Sequence, residues 1–396
     1  MLKKIKELDK KYFMNTFGDR LPVCFNEGSG MKLKATDSTE YYDFLGGIAV
    51  NSLGHSHPYF VKKVQEQVSK IIHTSNLYYI EQQSILAERL ISKTCMDKVF
   101  FSNSGAEANE GAIKLAKIYF YKKGVEKYEI ISLDHSFHGR TLATVAATGQ
   151  EKYQKPYKPL TPGFIHVKPN DINELKKVIT DKTAAILLEP IQGESGVHPM
   201  DKEYIKEIRK ICDEKDILLI FDEVQTGMGR CGKLFAYELF GVEPDILTSA
   251  KALGGGIPIG AILAKDFVAS AFEPGDHGST FGGNALATAA GNAVLDVYEE
   301  EQLVENSETM GKILKNKLLE LKNEFDCIKE IRGEGLLIGI ELKEEVAKDV
   351  FNSLFENKIL TSLCYNTIRL APPLIINETD IEMFIDIFKN ILTERN

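Results

Sequence analysis

The hydrophobic pattern of the chain alternates between short apolar runs and longer amphipathic stretches. Six runs rich in strand-forming residues are "KVFFSNSG" (98–105), "YEIISLDHSFHG" (128–139), "AAILLEP" (184–190), "ILLIFDEV" (217–224), "DILTSA" (245–250) and "IPIGAILA" (257–264). A period of about 3.6 residues predicts helices near 59–71, 106–123, 203–214 and 284–298. Fully apolar runs such as "ILLIF" are typical of strands covered on both faces. This order predicts an α/β fold with a mostly parallel central sheet and helices on both faces.

The pattern changes before about residue 55 and after about residue 300. The chain opens with an amphipathic, lysine-rich arm, followed by a predicted hairpin in "MKLKATDSTEYYDF". Towards the other end, a charged helix in "NSETMGKILKNKLLELKNEF" precedes "IRGEGLLIGIEL", another helix and "TIRLAPPLI". We therefore predict an N-terminal arm with a small hairpin segment (1–55), a large α/β domain (56–285) and a smaller C-terminal α+β domain (286–396).

The composition narrows the class of protein. With 396 residues, of which 43% are hydrophobic, the chain can bury a large core. The chain has 48 Lys and Arg and 57 Asp and Glu, and its net charge of -9 disfavours nucleic acid as a main partner. The sequence contains neither an apolar run of about 18 residues nor the apolar stretch of a signal peptide, so we expect no membrane association. The 6 cysteines are scattered without CxxC spacing, which favours a reducing compartment and a cytoplasmic protein.

Polar residues collect where the predicted strands end. Ligands of open α/β sheets bind beyond the carboxyl ends of the strands. The residues found there are Ser104 and Gly105 after one strand, Phe137, His138 and Arg140 after the next, and then Glu189, Asp222 and Lys251. Because such residues follow successive strands, we expect them to form one site.

The stretch "SNSGAEANEG" opens a predicted helix with Ser104, Gly105 and Ala106. One interpretation is a capping box between Ser104 and Glu107. The other is a phosphate-binding site, because the first amides of a helix are free and the helix dipole favours an anion there. The two are compatible. The chain has no GxxxxGK[ST] motif, so a P-loop is not supported.

Asp222 and Lys251 carry the candidate chemistry. An unpaired carboxylate at the end of an apolar strand is costly, so Asp222 needs a salt bridge or a cation such as a pyridinium nitrogen. Lys251 is followed by the glycines 254–256, and in an apolar pocket its pKa would fall and its amine could attack an aldehyde. The simpler interpretation is a lysine whose tip reaches solvent. Taken with the helix N-terminus, these residues match the three groups that hold pyridoxal phosphate.

Other classes of function have weaker support. A dinucleotide-dependent oxidoreductase requires GxGxxG after the first strand, which "SNSGAE" lacks. A regulator that binds the cofactor without catalysis would be expected to lack the lysine or the acid. His55 and His57 in "GHSHP" have no third and fourth ligand at suitable spacing, so we predict a turn and no metal site.

Taken in order, these blocks resemble the class III (ornithine-type) pyridoxal-phosphate aminotransferases from about residue 12 to the C-terminus. The matching blocks include "YYDFLGGIAVNSLGHSHP", "FFSNSGAEANEGAIKLAK", "SFHGRT", "EPIQGESGV", "LLIFDEVQTGMGRCGKLFAYE", "PDILTSAKALGGGIPIGA", "HGSTFGGNALA" and "IRGEGLLIGIEL". The resemblance implies fold type I of the pyridoxal-phosphate-dependent transferases. Within the family, "GGIAVNSLGH" and "HTSNLYY" are most similar to acetylornithine aminotransferases.

The resemblance also implies roles for individual residues. Lys251 would condense with the aldehyde of the cofactor and move a proton, and Asp222 would pair with the pyridine nitrogen. The other implied cofactor contacts are Ser104, Gly105 and Ala106 at the phosphate, Phe137 and Val224 on the two ring faces, Gln225 at the phenolic oxygen, Glu223, and Thr280 from a partner subunit. Ser279 would lie near the substrate. A homodimer with shared active sites follows from the role implied for Thr280.

The substrates implied are small molecules. Arg140 and Arg369 correspond to the two carboxylate-binding arginines of the family, and Glu194 to the residue that neutralises Arg369. The implied reaction transfers the δ-amino group of N2-acetyl-L-ornithine to 2-oxoglutarate, giving N-acetyl-L-glutamate 5-semialdehyde and L-glutamate, in arginine biosynthesis. The alternatives are ornithine δ-aminotransferase, 4-aminobutyrate or succinyldiaminopimelate aminotransferase, and an aminomutase or racemase on the same scaffold.

Overall fold

The N-terminal part of the chain forms a small antiparallel sheet. In the computed structural model, which describes residues 1–394, helix α1 (Leu2–Tyr12) precedes strands β1 (Phe25–Ser29), β2 (Lys32–Ala35) and β3 (Glu40–Asp43). The three strands pair in chain order, with Leu33 of β2 opposite Tyr41 of β3. The β2–β3 hairpin is the hairpin that the sequence predicts.

A seven-stranded sheet from the middle of the chain forms the core of the fold. Its strands are β4 (Lys98–Ser102), β5 (Glu129–Leu133), β6 (Phe164–Val167), β7 (Thr183–Leu188), β10 (Leu218–Asp222), β11 (Ile246–Ser249) and β12 (Gly260–Ala264), and a separate hairpin of β8 (Ile191–Gln192) and β9 (His198–Pro199) follows β7. The order is β4-β12-β11-β10-β7-β5-β6, and every strand except β12 runs in the same direction. The predicted mostly parallel sheet is confirmed.

Helices surround this sheet. They are α2 (Gly46–Ala49), α3 (Pro58–Val68), α4 (Glu81–Ser92), α5 (Gly105–Lys122), α6 (Leu142–Ala147), α7 (Glu151–Gln154), α8 (Ile172–Val178), α9 (Lys202–Lys215), α10 (Tyr237–Phe240), α11 (Asp266–Ala269), α12 (Ala285–Glu300), α13 (Leu303–Glu324), α14 (Glu344–Glu356) and α15 (Glu378–Thr393). Short 3-10 turns span Lys155–Tyr157 and Lys251–Gly254. Within residues 1–394, we find no helix with the length and apolarity needed to span a bilayer.

Both faces of the central sheet are buried. Leu219 and Phe221 of β10 belong to one apolar cluster, whereas Leu218 and Ile220 belong to another. Side chains alternate between the faces of a strand, so the two clusters lie on opposite faces. Residues of α9 and α12 join the first cluster, and residues of α5 join the second. This confirms that helices cover both faces of the sheet, as the apolar character of the run predicts.

The C-terminal part forms another small sheet. Its strands are β13 (Ile328–Glu334), β14 (Leu337–Leu342), β16 (Ser362–Cys364) and β17 (Thr367–Leu370), in the antiparallel order β13-β14-β17-β16. Strand β15 (Ile359–Leu360) precedes β16 in the chain but belongs to the N-terminal sheet, where it pairs in parallel with β3. We therefore propose that segments 1–55 and 286–396 pack as one unit beside the large domain (56–285).

Candidate active site

The carboxyl ends of the parallel strands share one edge of the central sheet, where ligands of such sheets bind. A cavity of about 380 Å³ lies at this edge. Its lining includes the residues Ser104, Gly105, Ala106, Phe137, Arg140, Asp222, Val224, Gln225 and Lys251, all of which the sequence predicts. The structure thus brings the candidate acid, the candidate lysine and the helix N-terminus into one pocket.

Lys251 comes directly after β11 and begins the 3-10 turn Lys251–Gly254. Its φ of 48 is in the left-handed region, a strained conformation of the kind that accumulates at functional sites. Desolvation and the nearby positive charge of Arg369 lower the pKa of the Lys251 amine to about 8, against the attraction of the surrounding carboxylates. No described residue accepts a hydrogen bond from this amine or pairs with it. The amine is therefore available to a ligand in the cavity.

Asp222 ends β10 and is only 3% exposed. Its Oδ2 accepts a hydrogen bond from Asn109 Nδ2 at 2.7 Å and lies 2.8 Å from His138 Nδ1. Its Oδ1 accepts from the Val224 amide at 3.0 Å. Thr248 Oγ1 donates to Asn109 Oδ1 at 2.8 Å, which fixes the orientation of the amide. The carboxylate is thus held by donors from three elements of the core.

The start of α5 matches both interpretations of the sequence. Ser104 Oγ accepts from the Glu107 amide at 3.2 Å, which is half of a capping box. The Glu107 carboxylate accepts from the Asn103 amide at 2.8 Å and not from that of Ser104. A Cβ at position 105 would lie 2.6 Å from Val224 Cγ1, so only glycine lets Val224 pack here. Gly105 and Ala106, the first residues of the helix, line the cavity.

Glu189 follows β7 and supports the opposite part of the cavity. It is 5% exposed, and its Oε2 accepts from the Phe137 amide at 3.0 Å. Desolvation and the neighbouring Asp222 raise the pKa of the Glu189 carboxyl. This acid fixes the backbone that carries Phe137, and the sequence identified its position at a strand end without assigning it a role.

Arg140 lies at the mouth of the cavity with an exposed side chain. Its guanidinium stacks on the Tyr153 ring, with Cζ 3.9 Å from the ring centroid, and lies 5.6 Å from that of Phe137. Within residues 1–394, no carboxylate pairs with it. Stacking orients the guanidinium while leaving its donors free, an arrangement suited to a carboxylate ligand.

Arg369 on β17 is 2% exposed, and it reaches towards the same pocket. Its Nη1 donates to Glu194 Oε2 at 2.8 Å, to the Gly193 carbonyl at 3.0 Å and to Gln225 Oε1 at 3.3 Å. Its Nε donates to Ser362 Oγ at 3.1 Å. Glu194 is more accessible, with 30% of its side chain exposed. The structure thus joins the two residues that the sequence pairs.

Besides Glu194 and Arg369, three further residues of the predicted set lie outside the cavity lining. Glu223 is buried, and its carboxylate accepts from the amides of Ala236 and Tyr237, so its contact with the cofactor stays a prediction. Ser279 Oγ accepts from Asn103 Nδ2 at 3.2 Å, next to the helix N-terminus. Thr280 is exposed. Within one protomer, neither Ser279 nor Thr280 reaches the pocket.

A family model described as class III aminotransferase matches residues 13–392. The chain belongs to the class III aminotransferases. It is 50% identical over 392 residues to an acetylornithine aminotransferase of Methanocaldococcus jannaschii, with 98% of each chain covered.

Solved structures of aminotransferases have the same fold as this class III aminotransferase. It superposes with a TM-score of 0.88 on acetylornithine aminotransferase from Elizabethkingia anophelis, at 36% identity and with 99% of each chain covered. It superposes with a TM-score of 0.94 on ornithine aminotransferase from Toxoplasma gondii, at 32% identity, covering 99% of this chain and 95% of that one. The latter structure is described as having partial occupancy of pyridoxal phosphate at its active site.

Sequence reasoning missed Asn109 in this class III aminotransferase, although a signal for it exists. Asn109 lies four positions after Gly105 on α5 and is 1% exposed, among the alanines of the buried helix face. Residues i and i+4 share a helix face, so a polar residue there had to point at the same site as the helix N-terminus. Tyr153 gave no comparable signal, because its contact with Arg140 depends on tertiary packing.

Proposed function

We propose that this class III aminotransferase transfers the δ-amino group of N2-acetyl-L-ornithine to 2-oxoglutarate, giving N-acetyl-L-glutamate 5-semialdehyde and L-glutamate, as in arginine biosynthesis. The observation that carries the proposal is the cavity shared by Lys251 and Asp222 at the N-terminus of α5. The Methanocaldococcus relative, which bears that activity as its name, supports the choice of substrate.

The cofactor is pyridoxal 5'-phosphate, and the residues present fit it. Lys251 offers an amine without a protein partner, and its lowered pKa of about 8 leaves much of it neutral near physiological pH. The free amides at the start of α5 suit a phosphate. Asp222, held as a carboxylate acceptor by Asn109 and His138, suits a protonated ring nitrogen. When bound, the cofactor supplies an aldehyde and an electron-withdrawing ring.

The chain's own residues then have distinct tasks. Lys251 Nζ accepts the proton from the reacting carbon and returns it, a role that a desolvated amine with a pKa of about 8 can perform. The Asp222 carboxylate would stabilise the positive charge of the protonated ring nitrogen. Val224, packed against Gly105, forms one wall, and Phe137, whose amide is bound by Glu189, forms another.

Two arginines would bind the carboxylates of the substrates. With glutamate or 2-oxoglutarate, Arg369 binds the carboxylate beside the reacting carbon, and the stacked Arg140 binds the far one. With an ω-amine donor, no carboxylate lies beside the reacting carbon, so Arg369 would be buried without a counter-charge. Glu194 supplies that counter-charge at 2.8 Å. One pocket thereby accepts two differently shaped substrates.

We also propose a homodimer in the cytoplasm. Ser279 and Thr280 lie outside the pocket of their own protomer, so a second copy would bring Thr280 to the phosphate and Ser279 to the substrate. Large apolar side chains near Ser279 and Thr280, either in sequence or in space, are exposed, including Leu77, Tyr79 and Phe281. The cytoplasmic location is supported by the cysteines, which form no disulfide within residues 1–394.

The test is a turnover panel with 2-oxoglutarate as the acceptor. The donors are N-acetylornithine, ornithine, 4-aminobutyrate and succinyldiaminopimelate, compared by kcat/KM. We expect N-acetylornithine to be preferred, and a preference for free ornithine or 4-aminobutyrate would overturn the assignment. Borohydride reduction of the holoenzyme followed by peptide mapping checks the cofactor site separately, and the label should be on Lys251.

A further inference from the structure

The face of the C-terminal sheet nearest the active site carries a row of four aligned residues. Ser362 is opposite Arg369, Arg369 is opposite Gly339, and Gly339 is opposite Arg332. Directly opposed residues of antiparallel strands project from the same face. Two arginines therefore stand on either side of a glycine, and the segment 191–199, here called the Glu194 loop, crosses this row.

Arg332 is bound to the backbone of the Glu194 loop. Its side chain is only 9% exposed, and its Nε donates to the carbonyls of Gly196 at 3.0 Å and Val197 at 2.9 Å. Its Nη2 donates to Thr367 Oγ1 at 3.1 Å, on the same strand as Arg369. One guanidinium thus connects the loop that carries Glu194 to the strand that carries its partner.

The charge of Arg332 is compensated on its far side. Nη1 donates to Glu330 Oε2 at 2.8 Å and to Glu341 Oε2. Glu341 is held in turn by Asn366 Nδ2 at 3.2 Å. Nη1 and Nη2 thus orient the guanidinium through partners on the sheet, which leaves Nε to donate to the loop.

The loop approaches the sheet closely at Gly339. A Cβ there would lie 2.8 Å from the Gly196 carbonyl oxygen and 3.0 Å from Val197 Cβ. Val197 itself has a φ of 58, in the left-handed region, although it is β-branched and fully buried. Such a conformation persists only when its surroundings hold it. The pairing of β8 with β9 closes the loop around Val197, and the two bonds from Arg332 join it to the sheet.

We propose that Arg332 is a positioning residue that fixes the rear of the Glu194 loop, so that Glu194 alone can move between the paired and displaced states. The proposal rests on the proposed function, in which glutamate displaces Glu194 from Arg369. Arg369 holds the loop at the Gly193 carbonyl, 3.0 Å away, and Arg332 holds it at 196–197. Only Glu194 and Ser195 lie between the two anchors.

The kinetic test measures the two half-reactions of the holoenzyme separately, with an acylated ω-amine donor and with glutamate. In Arg332→Met the loop loses its rear anchor, and Glu194 no longer reaches Arg369 reliably. We expect kcat/KM for the ω-amine to fall about 5- to 10-fold, no more than in Glu194→Ala, and that for glutamate to change by less than about twofold. Equal losses for both substrates, or no loss, would overturn the proposal.

Two further variants and one control make the test specific. Gly339→Ala crowds the loop while both arginines are kept, and it should reproduce the selectivity change. Arg332→Lys keeps the charge but not the fork of donors, and it should recover only part of the selectivity. The control is Arg209→Met, which removes a partly buried arginine paired with Asp245 at 2.9 Å, far along the chain on α9. The same selectivity change in this control would refute a specific role for Arg332.

A double variant tests whether Arg332 acts through Glu194. Adding Arg332→Met to Glu194→Ala should change the ω-amine kcat/KM by less than about twofold beyond Glu194→Ala alone, because the gate is already gone. Full additivity would show that Arg332 acts by another route, and the proposal would fail.

A measurement without substrate separates this proposal from the proposed function. Hydrogen exchange across the segment 191–199 of the holoenzyme should quicken in Arg332→Met and stay unchanged in Arg209→Met. If the donor panel rejects acetylornithine while exchange quickens as expected, only the proposed function fails. If exchange is unchanged in Arg332→Met, the anchoring role fails whatever the substrate.

Discussion

Two carboxylates serve the same pocket and are built in opposite ways. Asp222 is 3% exposed at the end of a central strand, and it is held by Asn109, His138 and the Val224 amide. Glu194 has 30% of its side chain exposed on a loop, and its carboxylate pairs with Arg369 at 2.8 Å. One is immobilised by the core, whereas the other is tied by a single ion pair.

The difference follows from what each charge must do. A buried carboxylate with several donors is costly to displace, because each donor would lose its partner in a dry environment. Glu194 has 30% of its side chain exposed, so its carboxylate can be solvated when a substrate carboxylate replaces it at the buried Arg369. Asp222 is thus suited to a charge that persists through turnover, and Glu194 to one that is exchanged between half-reactions.

Lys251→Ala should have the largest effect on the rigid, buried part of the site. Removal of the Lys251 amine should lower turnover by about 10⁴-fold or more, because the group assigned both to the cofactor aldehyde and to the proton transfer is lost. Steady-state rates with saturating cofactor measure this. Lys265→Ala, which removes a lysine paired with Glu243 outside the pocket, is the control and should keep its activity. Substantial turnover in Lys251→Ala would refute its role.

Asn109→Ala tests whether the rigidity of Asp222 matters. The variant removes the 2.7 Å donor to Asp222 and the shorter of the two hydrogen bonds that Thr248 Oγ1 donates. We expect turnover to fall about 10- to 100-fold and cofactor affinity to weaken, since a hydrogen bond to a charged group is lost. Titration of the apoprotein with pyridoxal phosphate measures the affinity. Asn292→Ala is the matched control, as Asn292 is also buried but bonds to Gln82.

The immobile part of the site was also the more predictable part. Asp222, Lys251 and Ser104 all follow parallel strands, whose carboxyl ends must meet at one edge, so their proximity follows from the strand pattern. Glu223 differs from Asp222, because its side chain points away from the cavity and binds the backbone amides of 236–237. Its role at the cofactor stays a prediction.

The positions of Glu194, Arg369 and Arg332 relative to one another could not be predicted from the strand pattern. The row of Arg369, Gly339 and Arg332 is set by the register of three strands, which the sequence does not specify. Strand β6 was missed as well, because its four residues are mostly half-buried at the sheet edge. Family resemblance identified Arg369 and Glu194, whereas Arg332 became visible only from its contacts with the loop.

Glu194→Ala tests the carboxylate that is exchanged between half-reactions. Without its counter-charge, Arg369 is left unpaired when an ω-amine donor binds, whereas glutamate still provides a carboxylate. The ratio of kcat/KM for N-acetylornithine to that for glutamate should therefore fall about 10-fold. Single-turnover kinetics with each substrate give this ratio. Glu330→Ala, which removes an exposed acid from the Arg332 cluster, is the comparison variant and should shift the ratio less.

The pH dependence of cofactor capture tests the environment of Lys251 itself, and it is the smallest of these effects. Desolvation lowers the pKa of its amine to about 8, so the reactive neutral form predominates above that pH. The rate at which the apoprotein captures pyridoxal phosphate should rise about fivefold from about pH 7 to about pH 8 and level off near pH 9. Stopped-flow absorbance follows the capture, with Lys251→Ala as the blank. An amine with an ordinary lysine pKa would instead give a rate that still rises about tenfold per pH unit at pH 9, and that outcome would mean that the pocket does not desolvate the lysine.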